Sequence, residues 1–508
     1  MGRSTAWISW MVAALLTPAW ARAVVGAPRT FNPVVNPAPA SGSTTPYPLY
    51  HLGQNVPGVA DAVCNDGSPV VYGYLPPRDP TSRKWMVFLE GGSHCSGLFS
   101  CLQRWMETPD RMSTTYAPPG AANPPMAQRG SVSLSGAFLD TAAQGLPSNR
   151  LRDEFHQVWV NYCSSDAWHG DGLYQDQRVN PVTGNGLEEV INSWKAQLLG
   201  SSDRRVQAQG LVLSLMQPSF LAHFCVANQC SVHFAGAKIV EALLEDLRLN
   251  RGLTNPQMIL LAGSSAGSMG VRQNLDRLAR AARNRWPRVV VVGASDSGHY
   301  AEPLNEVAAR QPLPSLDSSC SVLGAGPVYP TPLLLPAVTA TGAQFWGSAR
   351  VDETCLRTRL GGPAPVPATP AVFQAQDECR EHDRLLPAIA TPLFLFQGYR
   401  DRVFLPDGAA NNVSCNNPAG ISPAVTRASY NELLASARGV FGVDSEIHTS
   451  LQSTSFFNLL RTDLTVSASP LSHYTILWNW LKTRGTYRHA ILECPPGCAV
   501  ACGTQACP

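Results

Sequence analysis

The chain has 508 residues, with 38 Lys and Arg against 36 Asp and Glu, and charged residues make up only 15% of it. A net charge of +2, with no run of Lys and Arg, sets up no field that would draw nucleic acid or an anionic bilayer, which excludes a polyanion-binding protein as the first reading. The 42 prolines exceed the usual share of about 5% and point to many ordered loops rather than long helical arrays.

Arg3 precedes an apolar stretch from Ala6 to Trp20, and Ala21-Arg22-Ala23 follows. A charged start, a short apolar core and a small-residue cleavage site together predict a signal peptide over residues 1–23. The competing reading is a membrane anchor, which needs about 20 apolar residues and would have to accommodate Pro18. Residues 24–49 are rich in Pro, Ser and Thr and are expected to form a flexible leader. Residues 50–490 alternate strand-like and helix-like segments, which predicts one α/β domain with a mostly parallel central sheet flanked by helices.

The first clear strand is Trp85-Met86-Val87-Phe88-Leu89, a continuous apolar run of the kind that is covered on both faces. Glu90-Gly91-Gly92-Ser93-His94-Cys95 follows it. Double glycine after an early strand suits a loop whose backbone N–H groups face a developing oxyanion, and a bare glycine turn is the bland alternative. Gly92 and Ser93 are candidate donors. Residues 105–150 and 200–232 break the rhythm and are expected to be lid or pocket-wall elements. Within the second, Leu211-Val212-Leu213-Ser214-Leu215-Met216 fits either an apolar pocket lining or a core helix. Val158-Trp159-Val160-Asn161-Tyr162 is a second strand. Ile239, Leu243 and Leu247 recur at helical spacing, with Gly252 placed to end that helix.

Met258-Ile259-Leu260-Leu261 is the strand that leads into Gly263-Ser264-Ser265-Ala266-Gly267. In a G-x-S-x-G turn the serine sits on a sharp strand-to-helix corner, where side chains at the flanking glycines would collide with neighbouring backbone. Its Oγ is then presented at a helix N-terminus, which favours negative charge. Small residues are common, so the pattern alone could be a plain turn. The apolar strand before it and the helical pattern through Met269, Leu275 and Leu278 make Ser265 the candidate nucleophile and the N–H of Ala266 a further oxyanion donor. Val289-Val290-Val291-Val292 and Leu393-Phe394-Leu395-Phe396 are later strands. A triad acid is expected after a late strand and the base after that. Asp401 leads for the acid, with Asp296 expected to hold a loop by hydrogen bonds. His473 leads for the base, because Leu471-Ser472-His473-Tyr474 lies ahead of the last apolar helix. A helix-capping role is its structural alternative, and His448 is the runner-up.

The 14 cysteines form an even set, and in an oxidising compartment that implies a disulfide framework whose pairing spacing cannot fix. Cys225 and Cys230 leave a C-x4-C metal pair open, but Cys494, Cys498, Cys502 and Cys507 lack zinc-ribbon spacing. Neither a metal nor another cofactor is expected. Residues 491–508 read as a Cys-rich tail, and Asn412-Val413-Ser414 is a glycosylation sequon.

Phe88-Leu89-Glu90-Gly91-Gly92 with Cys95 and Cys101 resembles the oxyanion region of the pectin acetylesterase/Notum family. Tyr162-Cys163-Ser164-Ser165-Asp166-Ala167-Trp168 with Gly170 and Leu261-Ala262-Gly263-Ser264-Ser265-Ala266-Gly267 with Gly270-Val271 resemble two further blocks. Ser295-Asp296-Ser297-Gly298, and Phe345-Trp346 with Cys355, add weaker matches. The resemblance implies an α/β-hydrolase fold and metal-independent ester hydrolysis in a secreted protein without a transmembrane segment. It implies Ser265, Asp401 and His473 as triad, Gly92, Ser93 and Ala266 as oxyanion donors, and Cys95–Cys101 and Cys64–Cys163 as disulfides. The partners it implies are an acylated secreted protein of the Wnt type, which would lose a palmitoleate from a serine, or an acetylated polysaccharide. A relative that binds such ligands without turnover is a third reading, and a disulfide-rich matrix protein a fourth. Where the family usually has Trp near the double glycine this chain has Ser93-His94, a change at the expected wall of the acyl pocket.

Overall fold

The computed structural model describes residues 45–298, 346, 351–398, 439–443, 449–452, 460–485 and 490–492, apart from short internal stretches such as 139–148 and 179–185. The strands of its main sheet are β1 (Tyr47–His51), β2 (Val71–Leu75), β3 (Lys84–Leu89), β4 (Ser131–Val132), β5 (Phe155–Val160), β6 (Met258–Ser264), β7 (Val290–Asp296), β8 (Leu393–Gly398), β9 (Gly439–Val443) and β10 (Ala490–Leu492). Their order is β10-β9-β8-β7-β6-β3-β5-β2-β1-β4. Every pairing from β10 to β5 is parallel, and β2, β1 and β4 add an antiparallel flank. This is the mostly parallel α/β sheet expected from the sequence.

The apolar runs form strands because both faces are covered. Trp85, Val87 and Leu89 enter one hydrophobic cluster, whereas Met86 and Phe88 enter the other. The first cluster holds α4 (Gly236–Asn250) and α5 (Ala266–Arg285), the second α6 (His473–Lys482). The helix marked by Ile239, Leu243 and Leu247 is α4, and Gly252 beyond it adopts φ +79.

Two expectations are corrected. The end of the span read as leader is a strand: β1 starts at Tyr47, whose side chain is fully buried against Phe138. The stretch 200–232 is largely regular. After α1 (Leu98–Glu107) and α2 (Leu187–Leu199), residues Arg204–Phe224 form α3, a 21-residue helix that contains Pro218. The Leu211–Met216 segment is helical and amphipathic: Leu213 enters the hydrophobic core and Met216 packs against it, whereas Leu211 and Leu215 are 59% and 58% exposed.

Disulfides join Cys64–Cys163 and Cys95–Cys101, the pairs that the resemblance implies, and also Cys225–Cys230 and Cys355–Cys379. The C-x4-C pair is thus a disulfide. Asp401, Asn412, His448 and the tail cysteines lie outside the described residues. No helix among the described residues is long and apolar enough to cross a membrane.

Candidate active site

The carboxyl ends of the parallel strands are level: Leu89 pairs with Gly263, Ser264 with Asp296, and Asp296 with Phe396. Ligands bind at this end of such sheets, because the chain leaves it in loops while the strands hold those loops rigidly. Ser265 stands there, between the end of β6 and the start of α5, with φ +55 and ψ −122. A non-glycine residue with positive φ is strained, and the corner is held by several bonds and close contacts. The Ser265 N–H donates to Asp296 O at 2.9 Å, and the Met269 N–H donates to Ser265 O at 3.2 Å.

The glycines of the corner are there for space. A Cβ at Gly263 would lie 2.4 Å from Gly267 O, and one at Gly267 would lie 1.9 Å from Leu89 O. A Cβ at Gly91 would lie 2.4 Å from Ser264 O and 2.9 Å from Ser265 Cβ. The double-glycine loop therefore abuts the Ser265 corner directly. Gly270 lies one helical turn into α5 and admits Trp168, whose Cβ would be 2.5 Å from an added methyl.

The loop after β3 is pinned from behind. Trp168 Nε1 donates to Glu90 O at 3.0 Å, Arg111 Nη1 to Gly91 O at 3.1 Å and Arg104 Nη1 to Gly92 O at 2.5 Å. Gly92 has φ +136 and Ser93 φ +60. The neighbouring His94 meets Trp346 edge to face at 5.6 Å, and Trp346 Nε1 donates to Cys95 O. An aromatic side chain from a distant segment thus packs beside His94.

Asp296 is an organising residue. Its Oδ2 accepts from Ser264 Oγ at 2.7 Å and from the Ser450 and Leu451 N–H groups at 2.8 Å each. Beside it the Thr449 N–H donates to Ser297 Oγ at 3.0 Å. The carboxylate holds loop 449–452 against the end of β6, as a loop-holding residue would.

His473 is placed differently from a base. It is 1% exposed, in the first turn of α6, and its ring stacks on Phe396 at 4.2 Å and on Phe394 at 5.7 Å. Its Nδ1 shares a hydrogen bond with Ser450 Oγ. Phe396 is on β8, two strands from β6, and at a spacing of about 4.8 Å that is about 10 Å across the sheet. Burial pushes the His473 imidazole down to about 3. A general base works within hydrogen-bond reach and with a pKa near the operating pH. This ring supports Ser450, which in turn bonds Asp296. Nothing in the sequence alone could have separated that role from catalysis, since both place a histidine at the start of the last helix.

Buried titratable groups set the response of the fold to pH. Burial holds His473 near 3, and burial with the charge of Arg104 holds His94 near 4. His51, His156 and His233 are also pushed down by burial. Each of these folded-state values is below the ordinary one of about 6.5, so the stability these groups contribute is complete above it and is lost as pH falls. Asp166 acts in the opposite sense. Burial raises its carboxyl to about 6 against hydrogen bonds from Ser164, Gly236 and Trp168, so its contribution is complete below about pH 4 and is lost as pH rises through 6. The histidines outnumber it. The free energy of unfolding should therefore fall by on the order of 1 kcal/mol per unit between pH 6 and 4. Urea denaturation across that range checks this, and a rise in stability on acidification would contradict it.

With the geometry described, comparison with known proteins is informative. The family model described as Pectinacetylesterase matches residues 52–182 and 219–314. A palmitoleoyl-protein carboxylesterase NOTUM from Drosophila melanogaster is 26% identical over 336 residues, which is 66% of this chain and 35% of that protein. The Homo sapiens protein of the same name is 27% identical over 240 residues, 47% of this chain and 34% of that protein. The chain thus spans about a third of the length of these curated relatives. A crystal structure of the Wnt deacylase Notum from Drosophila covers 89% of this chain and 97% of its own, with a TM-score of 0.55 and 22% identity. That likeness establishes the fold, a large, mostly parallel sheet of the α/β-hydrolase kind.

Proposed function

We propose that this chain, which is similar to the Pectinacetylesterase model and to the NOTUM carboxylesterases, is a serine carboxylesterase of that kind with Ser265 as nucleophile. The observation that carries this is the Ser265 corner, with a strained φ of +55 at the head of a 20-residue helix and Gly91 packed against it. In the reaction, Ser265 Oγ attacks the ester carbonyl carbon and gives its proton to an imidazole. The carbonyl π electrons move to oxygen, where the N–H groups of Gly92, Ser93 and Ala266 stabilise the charge. The tetrahedral species collapses, the imidazolium protonates the departing alcohol, and water then cleaves the acyl-enzyme by the same steps.

We assign the base to His448 in place of His473. It immediately precedes Thr449, which is tied to Ser297 at the carboxyl end of β7, the strand next to the nucleophile strand. Asp401, three residues beyond β8, is the proposed acid that orients the imidazole. Asp296 already has Ser264, Ser450 and Leu451 as donors.

The substrate proposed is a fatty-acylated serine of a secreted Wnt-type protein; the palmitoleoyl-protein carboxylesterase names of the curated relatives and the Wnt deacylase name of the Drosophila structure support an acylated protein of that type. The second reading is polysaccharide deacetylation, which the name of the family model favours. The four disulfides among the described residues support an oxidising, extracellular location, in which Asn412 could carry a glycan. Turnover of 4-nitrophenyl acetate and 4-nitrophenyl octanoate separates the substrate readings. A kcat/KM at least tenfold higher for octanoate is the expected outcome, and an acetate-only enzyme would be a polysaccharide deacetylase. An equal, low rate for wild type and Ser265→Ala on both esters would overturn the esterase reading and leave acyl-ligand binding.

A further inference from the structure

We infer that Arg104 and Arg111 are positioning residues for the oxyanion loop: each guanidinium fixes the peptide plane whose N–H is a proposed oxyanion donor. This rests on the esterase reading and extends it to residues outside the triad and the oxyanion donors.

The argument begins with peptide geometry. A trans peptide is planar, and its C=O and N–H point in opposite directions. Whatever holds the carbonyl of one residue therefore aims the N–H of the next. Arg111 holds the carbonyl of Gly91, so it aims the N–H of Gly92. Arg104 holds the carbonyl of Gly92, so it aims the N–H of Ser93. Those are the two donors proposed from the double-glycine loop. Trp168 holds the carbonyl one residue earlier, at Glu90. Three successive carbonyls thus take side-chain donors on the side turned away from their own N–H groups.

The loop needs such support because its backbone is otherwise permissive. Gly91 and Gly92 have no Cβ, and Gly92 at φ +136 is in a region open to glycine. A freely turning peptide would reorganise as charge developed and lose most of its value as a donor, whereas a fixed one has been oriented in advance during folding.

Both guanidinium groups are themselves held. Arg104 projects from α1, which the Cys95–Cys101 disulfide ties to the loop, and it is 6% exposed. Its Nε donates to Ser165 Oγ at 2.7 Å, and its guanidinium lies 5.4 Å from the centroid of the Tyr162 ring. Ser165 has φ +52, and its hydroxyl donates to Arg111 O at 3.1 Å. Arg111 pairs with the Glu90 carboxylate at 2.5 Å. The two arginines and the strained Ser165 form one block behind the loop. A cation on a carbonyl also polarises its amide, which makes the N–H a stronger donor.

The two arginines differ in origin. Arg104 follows Cys101 at a fixed helical offset, and Arg111 lies in the short helix Pro109–Arg111. Arg111 also pairs with the Glu90 carboxylate next to the loop, so Arg104 is the residue varied in the test.

The test compares wild type with Arg104→Met and Arg104→Lys in the full chain, with 4-nitrophenyl octanoate as substrate and an alkyl boronic acid as a probe that becomes tetrahedral on the serine. For Arg104→Met we expect kcat to fall about 10- to 100-fold with KM changed less than threefold. Affinity for the boronic acid should fall in parallel. Arg104→Lys should recover part of the loss, since one ammonium can still reach Gly92 O, and added methylguanidinium should partly restore Arg104→Met. A folded Arg104→Met with kcat and boronic acid affinity within twofold of wild type would overturn the inference. So would a loss confined to KM. If Arg104→Met does not fold, the same readings on Arg104→Lys decide. Absence of Ser265-dependent turnover in wild type is a distinct outcome, which removes the esterase reading and this inference with it.

Discussion

Ser265→Ala should lower kcat for an activated ester by roughly 10⁴-fold or more while the protein stays folded, because the alanine removes the attacking oxygen and nothing else. The hydroxyl that builds the corner is that of Ser264, which donates to Asp296, so the architecture is kept. Thermal unfolding of the variant should stay within a few degrees of wild type. The histidines give a sharper contrast. His448→Ala should match the Ser265→Ala loss, since residues of a triad act as a unit. His473→Phe should keep kcat within about tenfold, because phenylalanine fits the stack with Phe394 and Phe396. Its defect should be in stability, about 1–3 kcal/mol, from loss of the buried hydrogen bond between His473 and the Ser450 hydroxyl. Steady-state kinetics with urea denaturation reads both. A His473→Phe variant as inactive as Ser265→Ala, with His448→Ala active, would return the base to His473.

Gly267→Ala should be the most damaging small change in the chain. An added Cβ would lie 1.9 Å from Leu89 O and 3.0 Å from Glu90 O, and both atoms are backbone of a central strand and its loop. Relief would require α5 or the end of β3 to move, and β3 pairs with β5 on one side and with β6 on the other. No side-chain rotation can absorb the contact. A cost above about 4 kcal/mol is expected, a large share of the 5–15 kcal/mol that holds a typical domain. The protein should be recovered mainly as aggregate, and any soluble fraction should have lost turnover. Gly252→Ala makes a useful comparison. No atom lies within 4 Å of its added Cβ, so only its φ of +79 is unfavourable. It should cost about 1 kcal/mol. Comparable expression of the two variants would show that the corner is less crowded than the contacts indicate.

The parts of this fold that were legible from sequence are those in which local chemistry has one solution. A strand buried on both faces must be apolar at every position, so Met258–Leu261 and Leu393–Phe396 could be recognised without knowing their neighbours. The serine corner was legible because its glycines sit at fixed offsets for a steric reason that the contacts of Gly263 and Gly267 now make explicit. Where the expectation failed, the deciding contact was remote. Tyr47 follows a Pro-rich stretch and became a strand only because Phe138 and the sheet edge cover it. In α3, Gly210 and Pro218 and the exposed Leu211 and Leu215 blur the helical period, and that helix is held instead by neighbours such as Trp105, which donates to Ser219. His473 shows the limit most clearly. Its loop position suits a base, but the ring faces Phe396, a fact set by how α6 packs on the sheet.

The reach of Asp296 along the chain has a consequence for how the protein is born. Its carboxylate bonds a residue 32 positions away and two others 154 and 155 positions away. Contacts of such separation close late, since the chain between them must first be ordered. During synthesis β6, β7 and the Ser265 corner all emerge before residue 450. Until that residue arrives, a buried carboxylate has only one of these three donors, and the corner lacks part of its buttress. Completion of the Ser265 corner is therefore timed by residues 450 and 451, whose N–H groups reach Asp296 only after they have emerged.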